Sequence, residues 1–100
     1  MATARVHLDT RELLDLAGIG KSIEANLRGL GVSSVSTLAS REGDELYHEL
    51  CAQTGTGQDP CVLDTFRCAV AQARNPKLPA VQRNWWWWSR QRKLGKLDSL

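Results

Sequence analysis

The chain has 100 residues, 42% of them hydrophobic and 24% charged, which suits one globular domain and excludes wholesale disorder. No apolar run approaches the roughly 20 residues that a membrane-spanning helix requires, and the first residues lack the apolar stretch of a signal peptide. Three cysteines are an odd number, which argues against a disulfide framework and predicts reduced thiols in a cytoplasmic protein.

The chain opens with a predicted flexible lead-in, residues 1–8. A short helix follows over residues 10–16, capped by its own first residue or by Asp9. A second helix covers residues 21–30, because its apolar residues recur at the spacing of one helical face. Gly31 follows as the predicted C′ residue, the position after the C-cap.

Three further helices complete the prediction. Ser33 or Ser34 starts a short third helix, and Ser40 caps a fourth helix that ends near Gln53. A fifth helix begins with Asp59-Pro60, because Asp is a common N-cap and Pro suits the first helical position. No segment shows the period-two pattern of a strand. The predicted core is the apolar set of these helices: Leu13, Leu14, Leu16, Ile23, Leu27, Leu30, Val35, Leu38, Leu46, Tyr47, Leu50, Cys51, Val62, Leu63, Phe66, Ala69, Val70 and Ala73.

The most informative stretch is Leu16-Ala17-Gly18-Ile19-Gly20-Lys21-Ser22, the layout of a helix-hairpin-helix that grips nucleic-acid backbone. The glycines permit positive φ and close approach of a ligand, and Ile19 is predicted to point inward. The N–H groups of Gly20, Lys21 and Ser22 open the second helix, where a phosphate oxygen is a natural partner. The same geometry also serves as a plain connector or a protein contact, and the sequence leaves that alternative open.

A second pair of glycines, Gly55-Thr56-Gly57, precedes the fifth helix and echoes the first pair. Thr56 stands in place of the aliphatic anchor, and Gln58 in place of the lysine. The segment is therefore either a degenerate second hairpin or only a flexible loop.

Charge is distributed unevenly behind the net value of +2. Residues 1–66 carry five basic and ten acidic side chains, whereas residues 67–100 carry eight basic and one acidic. The C-terminal third is therefore the electrostatic candidate for an anionic partner. The hairpin lies in the acidic part.

Four consecutive tryptophans, residues 85–88, cannot all face one way. One interpretation packs Trp85 and Trp88 against the core. The other leaves an exposed patch that stacks on bases, docks a protein or lies at a membrane interface.

The chain resembles one family in residues 16–23, 30–35, 44–47, 51, 54–56, 58–63 and 66–70 and in the tryptophan-rich segment. The family comprises small bacterial helix-hairpin-helix proteins of the pathogenicity-locus or mitomycin-resistance type. The resemblance implies an all-α fold of about five short helices, a SAM-like bundle similar to the C-terminal domain of TfoX-type competence regulators. It implies no established activity. One departure is Ala17, where such hairpins usually carry proline.

The predicted domain covers residues 9–88, and a basic, mobile tail covers residues 89–100. The predicted function is a non-enzymatic module that binds nucleic-acid backbone, DNA above all, without sequence specificity, linked to DNA repair or competence. The alternative is a protein-interaction adaptor that uses the tryptophan patch. The phosphate site consists of Gly18, Ile19, Gly20, Lys21 and Ser22, and the auxiliary basic and aromatic residues are Arg83, Trp86, Trp87, Arg90, Arg92 and Lys93.

No catalytic residue, metal or cofactor is predicted. His48 and Cys51 are the sequence-local candidates for a nucleophile pair, but no residue that would orient them is evident. With Cys61 and Cys68 they do not follow a zinc-finger spacing, and cysteine commonly serves as a small buried hydrophobe.

Overall fold

The computed structural model describes residues 10–95, and this part of the chain is all-α, as predicted. It contains five α-helices: α1 (Lys21–Gly29), α2 (Val35–Ala39), α3 (Gly43–Thr54), α4 (Pro60–Arg74) and α5 (Trp85–Lys93). Two 3-10 turns, Leu13–Asp15 and Ala80–Arg83, precede α1 and α5. No helix among these could cross a membrane, since each is too short or too polar. The lead-in of residues 1–8 and the capping residue Asp9 lie outside the described residues.

The first arm of the hairpin is a 3-10 turn, so the helix predicted over residues 10–16 is wrong. Only residues 13–15 form this turn, because the backbone is already extended at Leu16, with φ −78° and ψ 138°. Leu16 and Ile19 are buried from the loop that follows. The Asp15 N–H donates to the Glu12 carbonyl at 2.9 Å, and the Glu12 N–H donates to the Asp15 carboxylate at 2.7 Å. These reciprocal bonds close the turn before a second helical turn forms.

Helix α2 begins as predicted and α3 does not. Ser34 caps α2, because its hydroxyl accepts the N–H of Thr37 at 3.1 Å. Ser40, the predicted cap of the next helix, instead donates its N–H and its hydroxyl to the Thr37 carbonyl at 3.0 and 2.6 Å. Helix α3 starts at Gly43, where a Cβ atom would lie 2.8 Å from the backbone nitrogen of Arg67. A glycine is therefore required where α3 crosses α4.

Helix α4 is the centre of the bundle. Its predicted start is confirmed, since Pro60 is the first residue and the Asp59 carboxylate accepts the Cys61 N–H at 2.8 Å. Helices α2, α3 and α5 all pack against it. The predicted core residues are buried or half-buried except Leu14, which is 45% exposed.

The tryptophan run forms the first half of α5. Trp87 and Trp88 are half-buried, and the Trp88 indole N–H donates to the Gln82 carbonyl at 2.8 Å. Trp85 and Trp86 are 40% and 43% exposed, so the packing predicted for Trp88 is confirmed and that for Trp85 is wrong. The domain boundary predicted after Trp88 lies inside α5, which continues through Lys93. Residues 96–100 of the predicted tail lie outside the described residues.

Candidate nucleic-acid interface

The hairpin takes its shape from two glycines with different roles. Gly18 has φ +87°, a conformation that favours glycine. Gly20 is the N-cap of α1 in extended conformation, with φ −94° and ψ −174°. Between them Ile19 is 5% exposed and packs in the core, as predicted. The turn is thereby anchored while the backbone on both sides faces solvent.

The first N–H groups of α1 have no acceptor within residues 10–95. The first hydrogen bond of the helix runs from the Glu24 N–H to the Gly20 carbonyl at 2.9 Å. The N–H groups of Gly20, Lys21 and Ser22 therefore lie at an open helix N-terminus, where the helix dipole favours an anion. The Lys21 side chain is exposed and forms no ion pair within the same range.

Two acidic residues lie close to the hairpin in sequence, and both are engaged. Glu24 pairs with Arg28 one turn later at 3.2 Å. Asp15 accepts the Glu12 N–H within the 3-10 turn. Arg28 partly compensates the charge of Glu24, whereas the neutral N–H that Asp15 accepts only orients its carboxylate.

Gln72 fastens the hairpin to α4. Its side-chain amide accepts the Ala17 N–H and donates to the Ala17 carbonyl, both at 2.9 Å. The Gln72 side chain is 3% exposed. Proline at position 17 would have no N–H for this bond, which explains why alanine suits this chain. No local rule identifies Gln72 as the partner of Ala17. A polar residue within the apolar stripe of a helix is nevertheless a sequence signal for a buried hydrogen-bonding side chain.

Asp64, Cys68 and Gln72 lie four residues apart on α4, so they share one face of that helix. Gln72 donates to the Cys68 sulfur at 3.4 Å, and the Cys68 thiol donates to the Gln82 carbonyl at 3.6 Å. Burial raises the pKa of Cys68 to about 11. A polar network thus connects the hairpin, α4 and the turn before the tryptophans, with a protonated thiol at its centre.

Arg92 pairs with a buried acid rather than offering a free charge. Its guanidinium donates two hydrogen bonds to Asp64, at 2.9 and 3.0 Å, and Asp64 is 0% exposed. These bonds raise the pKa of Arg92. Within residues 10–95 Arg92 therefore has an acidic partner, unlike the other cations predicted as auxiliary nucleic-acid contacts.

The other auxiliary residues occupy different surroundings. Arg83 is exposed on the second 3-10 turn, and Trp87 packs edge-to-face on Trp88 with ring centroids 5.2 Å apart. Trp86, Arg90 and Lys93 lie together in a groove, named here the tryptophan groove, of about 490 Å³. Its lining residues are Cys61, Trp85, Trp86, Ser89, Arg90, Lys93 and Leu94.

The groove between α3 and α4, named here the paired groove, is filled with compensated charge. It has a volume of about 390 Å³. Arg67 donates two hydrogen bonds of 2.8 Å to Asp44, and Arg74 bonds Glu42 at 2.9 Å. The Arg67 guanidinium holds the pKa of Asp44 below its ordinary value.

The second glycine pair does not reproduce the first. Gly55 ends α3 with φ +70°, but Gly57 is not followed directly by a helix. The Asp59 carboxylate occupies the N-terminus of α4, and the Cys61 N–H that it accepts lowers the pKa of Asp59. An acidic cap there repels phosphate, so the loop interpretation fits this segment.

The cysteines and His48 form no shared site within the described residues. No hydrogen bond joins His48 to Cys51, and the His48 ring contacts Tyr47 with centroids 5.9 Å apart. Cys61 is exposed and Cys68 is buried. No cluster of three potential metal ligands occurs within residues 10–95.

Comparison with known proteins identifies the family. The family model described as "Pathogenicity locus" (Cdd1) matches residues 7–94. The chain is 36% identical over 85 residues to the "Mitomycin resistance protein McrB" of Streptomyces lavendulae, a match that covers 85% of this chain and 77% of the relative. No solved structure matches the chain. On these two matches the chain belongs to the pathogenicity-locus family, as its sequence motifs suggested.

Proposed function

We propose that the chain is a non-enzymatic module that binds nucleic-acid backbone, without sequence specificity, at the N-terminus of α1. The observation that carries the proposal is that the open N–H groups of Gly20, Lys21 and Ser22 lie beside the Lys21 ammonium, which forms no ion pair within residues 10–95. A phosphate oxygen satisfies both features, as at other helix N-termini. The name of the relative, a mitomycin resistance protein, is compatible with a role near DNA.

A non-catalytic role of Cys61 and Cys68, though not of Cys51, is supported by the state of their thiols. Burial raises the pKa of Cys68, and the hydrogen bond to Asp59 raises the pKa of Cys61. Both thiols are therefore poor nucleophiles at neutral pH, because the thiolate is the reactive form.

The first experiment measures binding of a fluorescent duplex and a fluorescent single strand at low salt. Lys21→Glu should abolish most of the binding, because it puts a negative charge beside the phosphate. Lys77→Glu is the matched control, since Lys77 is also exposed and forms no ion pair within the described residues. About two phosphate contacts predict a salt slope near −2. Unchanged affinity in Lys21→Glu would rule out the hairpin site.

A second pair of variants separates the ammonium from the backbone donors. Lys21→Ala removes only the charge, whereas Lys21→Pro also removes an N–H at the first helical position. The extended conformation of Gly20 suits the residue before proline, and proline is well tolerated at that position. We expect Lys21→Pro to bind more weakly than Lys21→Ala while circular dichroism stays the same.

The alternative function, a protein-interaction adaptor, would use the exposed indoles of Trp85 and Trp86. It predicts association that tolerates salt and does not respond to Lys21→Glu. No binding of either nucleic acid by the parent protein would favour this alternative.

A further inference from the structure

We propose that the tryptophan groove is a second, separate binding site, which takes single-stranded nucleic acid by stacking bases on indole rings. This inference rests on the proposed function, because it deepens nucleic-acid binding by this chain. The tryptophan groove differs from the hairpin site in its location, in its selection of single strands and in recognising bases rather than phosphates.

The orientation of α5 places two of its tryptophan rings at the surface. Its second two tryptophans pack into the fold, which leaves Trp85 and Trp86 exposed on the first turn. Arg90 lies one turn after Trp86, with its guanidinium carbon 5.3 Å from the ring centroid. Exposed aromatic rings beside arginine are the elements that stack unpaired bases in single-strand binding proteins.

The cations of the groove have no acidic partner among residues 10–95. Arg90 and Lys93 line the groove and form no ion pair with any acid of residues 10–95, and no acidic side chain lines the groove itself. Two described acids lie near the groove-lining Cys61: Asp59, which caps α4, and Asp64, which is paired with Arg92. Arg90 and Lys93, which have no acidic partner among residues 10–95, match the phosphates on either side of a stacked base.

The exposed indoles of the groove also favour a single strand over a duplex. The groove volume of about 490 Å³ falls within the ~300–1,000 Å³ of pockets that take small ligands. In a duplex the faces of the bases are covered by their neighbours, whereas unpaired bases are free to stack on indole. The groove is therefore suited to bases that have left the stack.

Cys61 supplies a probe at the site, because its exposed thiol lines the groove. The experiment follows alkylation of Cys61 by iodoacetamide at about pH 8.5 in the full chain, read by mass spectrometry of the Cys61 peptide. The added ligand is an oligothymidylate of about twelve nucleotides. We expect it to slow alkylation several-fold in the parent and in Lys21→Glu, and to have no effect in Trp86→Ala or Lys93→Glu.

The controls separate this site from the hairpin. Val81→Ala, an exposed apolar residue outside the groove lining, should retain protection. A duplex should protect Cys61 much less than the single strand. Loss of duplex binding in Lys21→Glu with retained Cys61 protection would support both sites, and protection with no duplex binding by the parent would support the groove alone.

Four outcomes would overturn the groove proposal. The first is a single strand that binds without changing the Cys61 alkylation rate. The second is equal protection by polyglutamate, which would reduce the site to a general anion surface. The third is protection by anionic lipid vesicles and not by oligothymidylate. The fourth is protection that rises with protein concentration alone, which would assign the groove to a second copy of the chain.

Discussion

The paired groove and the tryptophan groove are similar in volume and opposite in their use of charge. In the paired groove Arg67 bonds Asp44 and Arg74 bonds Glu42, two acids at the start of α3. In the tryptophan groove Arg90 and Lys93 meet no acid of the described residues. Counting charges along the sequence cannot separate the two cases, since the difference depends on which cations the fold has already used. The comparison predicts that changes at paired cations lower stability, whereas changes at unpaired cations lower binding.

Arg92 gives the largest expected effect and the strongest test of this comparison. It lies in sequence between the unpaired Arg90 and Lys93, yet it belongs with the paired cations because it bonds the buried Asp64. Arg92→Met should lower the free energy of unfolding by about 3 kcal/mol, because it leaves an uncompensated buried carboxylate. Urea unfolding measures the loss.

A matched double variant shows whether the loss of stability comes from the missing ion pair or from the buried carboxylate left without a partner. Asp64→Leu combined with Arg92→Met removes both partners, and most of the stability should return. If Arg92→Met alone left stability unchanged and weakened nucleic-acid binding, the assignment of Arg92 to the paired group would be wrong.

Gly43 is the next test, because it sets the contact of α3 with α4 beside the paired groove. Gly43→Ala should lower the free energy of unfolding by about 2 kcal/mol, since the added methyl meets the backbone of Arg67. Gly29→Ala is the control, because Gly29 ends α1 with only one atom, of Gln53, near its Cβ position at 3.9 Å. Thermal unfolding of both variants should show a loss for the first alone.

Gln72 is buried in α4 and also bonds the hairpin. Its replacement should therefore lower both the stability of the fold and its affinity for a duplex. Gln72→Leu removes both bonds to Ala17, and we expect a loss of about 1–2 kcal/mol in stability. Duplex binding should also weaken, because the hairpin loses its two side-chain bonds to α4 and keeps the Arg11 bonds to the Gln72 and Ala73 carbonyls together with its apolar packing. Ala17→Pro, which removes only the N–H bond, should have the smaller effect on both. Equal duplex affinity in Gln72→Leu and the parent would show that the Gln72 bonds are not needed to hold the hairpin in its binding geometry.

The smallest expected effect is an acid-dependent loss of stability at the paired groove. The lowered pKa of Asp44 means that its contribution is present above the ordinary value of 3.8 and is lost as pH falls through the lower folded-state value. The carboxylate is 56% exposed, so solvent screening keeps the contribution small. Urea midpoints at pH 5 and pH 3 should differ less in Asp44→Asn than in the parent.

The sequence predicted the elements that depend on local chemistry. The Asp59-Pro60 start of α4 and the Gly31 end of α1, with φ +86°, follow from capping rules and were confirmed. Ile19 was placed in the core because a hairpin needs an apolar anchor between its glycines. Such features are specified within a few residues of chain.

The sequence did not predict the features that depend on distant partners. The Asp64–Arg92 pair spans 28 residues and the Ala17–Gln72 bonds span 55. Helix α5 is oriented so that the Trp88 indole N–H reaches the Gln82 carbonyl, and Trp85 is exposed in that orientation. No local rule specifies this contact. The first hairpin arm is not an α-helix because the Glu12–Asp15 bonds close a single turn and the backbone is extended at Leu16. The spacing of apolar residues over 10–16 does not reveal that stop.

The hairpin and Gln72 are in contact in the fold but far apart along the sequence, which has a consequence for folding kinetics. The ion pairs of α3 with α4 and of α4 with α5 close loops of 23 and 28 residues, whereas the hairpin must close one of 55. Shorter loops close at lower entropic cost, so the contacts that close them are favoured to form by the transition state of folding. We therefore expect the helical core to assemble first and the hairpin to dock late. Hairpin variants should then accelerate unfolding and leave the refolding rate nearly unchanged.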